Sequence, residues 1–379
     1  MDDLRIRAAF ARAPGLRAQH VAALFAATEG SPTQCLDPAI LARVPLPPAA
    51  LSWLRLPDPA QLDSDLEWLQ RSGARLLAST DPEYPERVRK LADAPAALFV
   101  LGDVQKLTAP QVAMVGSRNA TPMGSDTAFR FAAELAGAGL TITSGLALGI
   151  DAASHRGALS VGGDQRDEGP TAPAGGGGST LAVFGTGLDQ VYPLQHRELA
   201  ERIRANGALV SELPPRTPPR QANFPRRNRL ISGLSLATLV VEARLHSGSL
   251  STAQYARRQQ RKVLAIPGSI ASPFSRGCHQ LIRAGAILVQ HPGEVLQELK
   301  ISLPNEALVR RTGPLPGRLA MDKGYEMLLD AVGFGPVGVD ILAIRTGLPG
   351  ESISSMLLVL ELEGRIASYP GGQFGRIPR

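Results

Sequence analysis

Cysteine is nearly absent. Cys35 and Cys278 are the only two in 379 residues, and neither has neighbours that would complete a metal or redox motif. A disulfide framework and a thiolate zinc site are both excluded. Long apolar runs are missing too, with no uninterrupted window of about 18 residues that would span a membrane. The first residues, MDDLRIRAAF, carry acids where a signal peptide needs bases, and no apolar stretch follows. The chain therefore reads as cytosolic. Neither GxxxxGKS nor GxxxxGKT occurs, so a P-loop NTPase is out. No Ser–His–Asp or Cys–His order places a nucleophile in a recognisable elbow. The GTGLDQ stretch at 185–190 begins like a dinucleotide fingerprint, but Gln190 stands where the third glycine belongs.

What is present is enough chain for two or three domains. Apolar residues make up 44% and charged residues 20%, which rules out a wholly disordered protein. The net charge of +6 is unevenly spread. From Leu213 to Gly293 there are twelve Lys and Arg and a single acid, Glu242, so this span carries +11 and the remainder −5. A strongly basic middle suits a polyanionic partner, most often nucleic acid, although a merely solvated basic face would look the same.

Residues 1–74 show helical spacing with frequent breaks, and Leu4, Ala8, Val21, Leu24 and Phe25 suit two short helices around Pro14-Gly15. The turn resembles a helix-hairpin-helix, but GLRAQ after Pro14 lacks the second glycine such a turn prefers; a structural helical module fits as well. From about 75 to 300, short β-branched runs alternate with amphipathic stretches. The runs are 111–115, 140–143, 180–184, 208–211, 237–241, 262–266 and 287–289. Strands buried on both faces and separated by helices predict a doubly wound, mostly parallel, Rossmann-like sheet. Residues 162–179, GGDQRDEGPTAPAGGGGS, have no apolar period and read as a flexible surface insertion. A Pro/Gly-bearing linker near 301–318 leads to a last unit, 318–379. Its helices at 323–332, 339–347 and 351–363, followed by a hairpin around Pro370-Gly371-Gly372, form a winged-helix pattern. The third helix carries three acids and no base, which opposes docking on phosphates, so a regulatory or protein-contacting winged helix is expected.

Four strands end in small, glycine-bearing loops: Gly116-Ser117-Arg118, SGLALGID at 144–151, Gly185-Thr186-Gly187 and Ser247-Gly248-Ser249. In an open parallel sheet, the crevice outside the strands' carboxyl ends is the usual ligand site. Glycine lets backbone approach a ligand, and the helix N-termini that follow suit an anion. Asp151 reads as a helix N-cap, and His155 and His196 as core or capping residues. The second concentration is residues 214–229, a proline-stiffened loop with five arginines, no acid and Phe224. Arginine forks phosphate and an aromatic can stack a base; Phe224 could equally anchor the loop. With only Glu242 near in sequence, the arginines cannot all be structural.

Eight motifs then occur in order: GSR at 116–118, SGLALGIDAASH at 144–155, GTGLDQVYPLQH at 185–196, FPRRNRLISGLS at 224–235, VEA at 241–243, SGSLSTA at 247–253, KVLAIPG at 262–268 and GCHQLIRAGA at 277–286. Together they resemble the DNA-processing A (DprA/Smf) family. The resemblance implies a cytoplasmic protein that binds single-stranded DNA, dimerises and loads the RecA recombinase onto incoming strands during natural transformation. It places the DNA-binding pocket at Gly116, Ser117, Arg118, Phe224, Arg226, Arg227, Asn228 and Arg229. Gly145 and Gly149 would shape the neighbouring floor, and Lys262 in the same basic span joins the candidates. No catalytic residue, metal or cofactor is implied. The alternative is a nucleotide-binding or nucleotide phosphoribosyl-hydrolysing enzyme on a related Rossmann-like sheet. Such an enzyme uses a PGGxGT-type loop, and the only PGG here is Pro370-Gly371-Gly372, outside the sheet. A third reading is a nucleotide-sensing regulator whose winged helix transmits the signal.

Overall fold

The computed structural model describes residues 3–161, 178–301, 323–333 and 335–377. Most of the glycine-rich insertion and nearly all of the 301–318 linker therefore lie outside the described residues. The chain opens with five helices, α1 (Asp3–Arg12), α2 (Ala18–Ala27), α3 (Pro38–Arg43), α4 (Pro48–Arg55) and α5 (Pro59–Ser72). Prolines stand in the first turns of α3, α4 and α5, where no amide hydrogen is needed, and Asp37 and Asp58 cap the first and last of these.

The sheet has nine strands among the described residues: β1 (Arg75–Ala78), β2 (Ala97–Gly102), β3 (Gln111–Val115), β4 (Thr141–Ser144), β5 (Thr180–Val183), β6 (Ala208–Ser211), β7 (Ala237–Val240), β8 (Lys262–Ala265) and β9 (Ile287–Leu288). Their spatial order is β1-β2-β6-β5-β4-β3-β7-β8-β9. Strands β3 to β9 pair in parallel, whereas β1 and β2 pair antiparallel with each other and β2 antiparallel with β6. All seven expected runs are strands to within a residue or two. The antiparallel pair was not anticipated, because short runs such as RLLA and ALFVLG do not separate strand from buried helix by period.

Helices cover both faces. Between the strands lie α6 (Glu86–Arg89), α7 (Pro122–Gly137), α8 (Ile150–Leu159), α9 (Arg197–Asn206), α10 (Asn223–Leu234), α11 (Ser249–Arg258) and α12 (Arg276–Arg283), and α13 (Pro292–Glu298) follows β9. Alternate residues of β3 show the division. Val112 and Met114 join the core under α7 and α8, while Ala113 and Val115 join the core under α10 and α11. The chain steps from β3 to β6 in one direction, then α10 carries it back to place β7 beside β3. That reversal is a topological switch point, and it lies between β3 and β7.

The first five helices share a core with the sheet. Ile6, Phe10, Leu24, Leu54 and Leu62 pack with Phe99 and Leu101 of β2, Ala182 of β5 and Leu209 of β6. Trp53 Nε1 adds a hydrogen bond to the Ala9 carbonyl at 2.9 Å. The boundary at 74/75 is thus a change of secondary-structure type and not a break in packing. At the far end, α14 (Lys323–Val332), α15 (Val339–Thr346) and α16 (Gly350–Leu362) surround their own core with strands β10 (Val337–Gly338), β11 (Ile366–Tyr369) and β12 (Gln373–Arg376). This is the winged helix expected, with β10 extending the hairpin to three strands.

One expectation is corrected here. The segment 223–229 is not loop but the first turns of α10. Pro225 is compatible because it falls in the first turn, where its missing amide hydrogen breaks no helical bond.

Because Phe99 is fully buried between α5 and the sheet, with Trp68 edge-on at 6.5 Å, Phe99→Ala should remove about 3–5 kcal/mol of stability. Urea denaturation of the full chain measures this. A loss below about 1 kcal/mol would mean that the helices do not depend on the sheet for their core.

Candidate nucleic-acid interface

The switch point opens a cavity of about 380 Å³ at the carboxyl ends of β3 and β7, lined by the 116–119 loop, the start of α10 and the 247–249 loop. Its floor is made by a buried arginine. Arg227 projects from α10 beneath the strand ends, where Nη1 donates to the Gly145 carbonyl at 2.8 Å and to the Val183 carbonyl. A Cβ on Gly145 would lie 2.5 Å from that guanidinium, so only glycine fits. Asp151 is buried beside it and accepts hydrogen bonds from the amides of Gly145 at 3.1 Å and Ala147 at 3.3 Å. Burial pushes the Asp151 carboxyl upward, opposed by Arg227 and by those amides. Burial likewise pulls Arg227 down to about 10, opposed by Asp151, which still leaves it cationic at neutral pH. Asp151 is therefore not the N-cap of α8. Gly149 occupies that position, with φ +72° and its Cα against the Ser117 carbonyl, where a Cβ would meet the oxygen at 2.2 Å. The N-caps of α8 and α11, both of which begin at this rim, are Gly149 and Gly248; the first amide of α8 donates to the Ser117 carbonyl at 3.1 Å and that of α11 to Ser247 Oγ at 3.4 Å.

The 116–121 loop is held from below. Ser117 donates its amide to the Glu242 carbonyl at 2.7 Å, and the Glu242 carboxylate accepts from Thr121 Oγ1 at 2.6 Å and its amide at 3.0 Å. Arg118 is left exposed, its guanidinium 5.8 Å from the Phe224 ring centroid. The Tyr192 ring lies 5.4 Å from the same ring. Phe224 is therefore half-buried, a wall of the cavity and not a free side chain. Asn228, from the next turn of α10, donates to Ser251 Oγ at 2.8 Å and fixes α11 against the opening.

The structure divides the expected site residues. Gly116, Ser117, Arg118, Phe224, Arg227 and Asn228 line one cavity, with Gly145 and Gly149 behind its floor. Arg226 is exposed nearby, with Nη2 3.3 Å from Glu212. Arg229 is elsewhere: it is buried, bonded to buried Glu212 and 3.2 Å from Asp93, which makes it a fastening of α10. Lys262 is also apart, at the amino end of β8, where it pairs with Glu298 at 2.7 Å on the side of the sheet opposite the rim. Arg216 turns to Ser64 and Asp65 of α5. Glu212, two residues before the arginine segment and nearer to it than Glu242, neutralises Arg226 and Arg229, which corrects the expectation that Glu242 is the only acid near in sequence; Asp93 and Asp65 come from far along the chain. His155 and His196 are core groups, bonded to Thr180 Oγ1 at 2.7 Å and the Leu146 carbonyl at 2.9 Å. Arg244 and Asn119 also line the cavity and went unremarked, although Arg244 follows β7 and the strand-end rule points to it.

Residues 75–300 match the family described as DNA recombination-mediator protein A, and residues 316–372 match the DprA winged helix domain. Protein Smf of Escherichia coli is 42% identical over 315 residues, covering 82% of this chain and 80% of that protein. The solved structure of DNA processing protein A from Streptococcus pneumoniae superposes with a TM-score of 0.65 at 33% identity, covering 79% of this chain and 98% of that one. DNA processing protein A from Helicobacter pylori, described for its single-stranded DNA binding mode, gives a TM-score of 0.51 at 28% identity over 60% of this chain and 95% of its own.

The two arginine environments should separate in denaturation experiments. Arg229→Ala leaves Glu212 buried without its closest cation and should cost about 3–5 kcal/mol. Arg118→Ala removes an exposed side chain and should stay within about 0.5 kcal/mol of the parent. Equal losses for the two variants would contradict the assignment of Arg229 to the framework and Arg118 to the surface.

Proposed function

This chain belongs to the DNA recombination-mediator protein A family, and from that premise we propose that the rim around Arg118 binds single-stranded DNA without acting on it chemically. The observation that carries this reading is an exposed arginine near an aromatic wall, above a buried second cation, beside the amino ends of two helices whose N-caps are glycine. Guanidinium forks take phosphate, helix N-termini favour anions, and an aromatic face accepts any base. The two carboxylates nearest the cavity are already engaged. Asp151 accepts two backbone amides and Glu242 holds Thr121, so neither stands ready as a general base. A phosphoribosyl hydrolase would place its PGG loop at the strand ends, whereas Pro370-Gly371-Gly372 turns the winged-helix hairpin between β11 and β12.

The fuller role we infer is that of a cytoplasmic homodimer that takes up single strands during natural transformation and loads the RecA recombinase onto them. That part rests on the family likeness. Among the described residues no helix is long and apolar enough to cross a membrane. On α16, Glu351 and Glu361 accompany exposed Leu358 and Leu362, a combination suited to a protein partner and adverse to a phosphate backbone.

A titration with single- and double-stranded oligonucleotides at two salt concentrations tests the reading. Single strands should bind more tightly, with affinity falling steeply as salt rises because phosphate contacts release counterions. Arg118→Ala should weaken binding by about 1.5–3 kcal/mol, and Phe224→Ala by about 1–3 kcal/mol. Salt-independent affinity, or mononucleotide binding with none for oligonucleotides, would replace this reading with the nucleotide-site alternative.

A further inference from the structure

We propose a second nucleotide-binding position on the same strand path, at a cavity beyond Arg244, whose ligand is the phosphate and sugar of a single strand leaving the first cavity; this rests on the single-strand reading above. The second cavity, about 350 Å³, is formed by the 244–247 loop after β7 and by Pro273 and Arg276 at the start of α12. It shares Ser117, Arg244 and Ser247 with the first cavity. The two cavities therefore adjoin along Ser117, Arg244 and Ser247.

The chemistry of its wall is that of a strand-binding groove. Arg244, His246 and Arg276 are exposed, and no acid lines the cavity. Among the described residues, neither Arg244 nor Arg276 has a carboxylate partner. The Arg244 guanidinium carbon lies 4.4 Å from the Phe274 ring centroid, a cation–π contact that takes up none of its N–H donors. Arg276 is the first residue of α12, an eight-residue helix whose N-cap Ser275 makes no side-chain cap. A cation there adds to the positive end of the helix dipole, an arrangement that costs stability unless an anion sits against it. Leu245, at 44% exposure, and exposed Pro273 supply apolar surface for sugar and base. Exposed apolar atoms beside unpaired arginines, with acids excluded, fit a single strand better than a free anion, which needs only the charge. The one carboxylate close in sequence, Glu242, is turned to Thr121.

Oligothymidylates of two lengths test this on the full chain, a trinucleotide and a strand of about 20 nucleotides that must extend past the first cavity. Arg276→Ala, with its melting temperature first shown to match the parent, should bind the long strand about tenfold more weakly and lower the salt slope by about one. Its affinity for the trinucleotide should not change. Arg244→Ala, which borders both cavities, should weaken both lengths. Unchanged binding of the long strand by Arg276→Ala overturns the second position. So does an equal loss at both lengths, which would reveal a diffuse charge effect. If the unaltered chain bound neither length, the single-strand reading itself would fall, a result distinct from either.

Discussion

A guanidinium buried beneath the strand ends sets the geometry of the whole rim. Arg227 has lost its water, and its hydration is replaced by two backbone carbonyls, Gly145 and Val183, and by the field of Asp151. Those carbonyls belong to the loop after β4 and to the last residue of β5, so one side chain of α10 ties three elements together. Its position forbids a side chain at residue 145. Asp151 then secures the same loop through two amides, and the loop ends at Gly149, whose backbone lies on the Ser117 carbonyl. The chain of contacts runs from a buried cation to the loop that presents Arg118. A buried charge of this kind is costly alone and tolerable only with every partner in place, so the rim is rigid because its floor is charged.

The same short segment supplies both framework and surface. Successive residues of a helix point about 100° apart, so Arg227 faces away from Arg226 and Arg229, which lie three apart on one side of α10 and both reach Glu212. Arg226 meets solvent, Arg227 the strand ends, and Arg229 the Glu212–Asp93 pocket behind α10. Local composition alone would assign all three to a polyanion. Backbone carbonyls single out Arg227, and exposure separates Arg226 from Arg229, which share Glu212.

The flanking units are related to the sheet in different ways. The first helices complete its core, because β1 and β2 extend the sheet and present Phe99 and Leu101 to a face that α1 to α5 cover together with α9. The winged helix closes on a core of its own, around Leu328, Leu342, Ile353 and Leu360. Its third helix leaves Leu358 and Leu362 exposed beside acids, so its outward chemistry is opposite to that of the basic rim.

Period and punctuation in the sequence were sufficient for the seven parallel strands, their helices and the winged helix, since each is decided by residues within about a dozen positions of one another. Strand-end glycines likewise marked the rim, because a doubly wound sheet brings the ends of its parallel strands to one side whatever the side chains are. The ordered motifs identified the family for the same reason, as local strings. Pairing was beyond reach. The antiparallel β1 and β2, the pairing of Arg229 with Asp93 and of Arg216 with Asp65, and the place of Lys262 at the other end of β8 all depend on residues far apart in the chain. Composition counts charges but not distances, and whether an arginine binds a ligand or fastens a helix depends on which carboxylate the fold brings within about 4 Å of it. Only the tertiary structure fixes those distances, so it alone decided which of the basic residues are free to meet DNA.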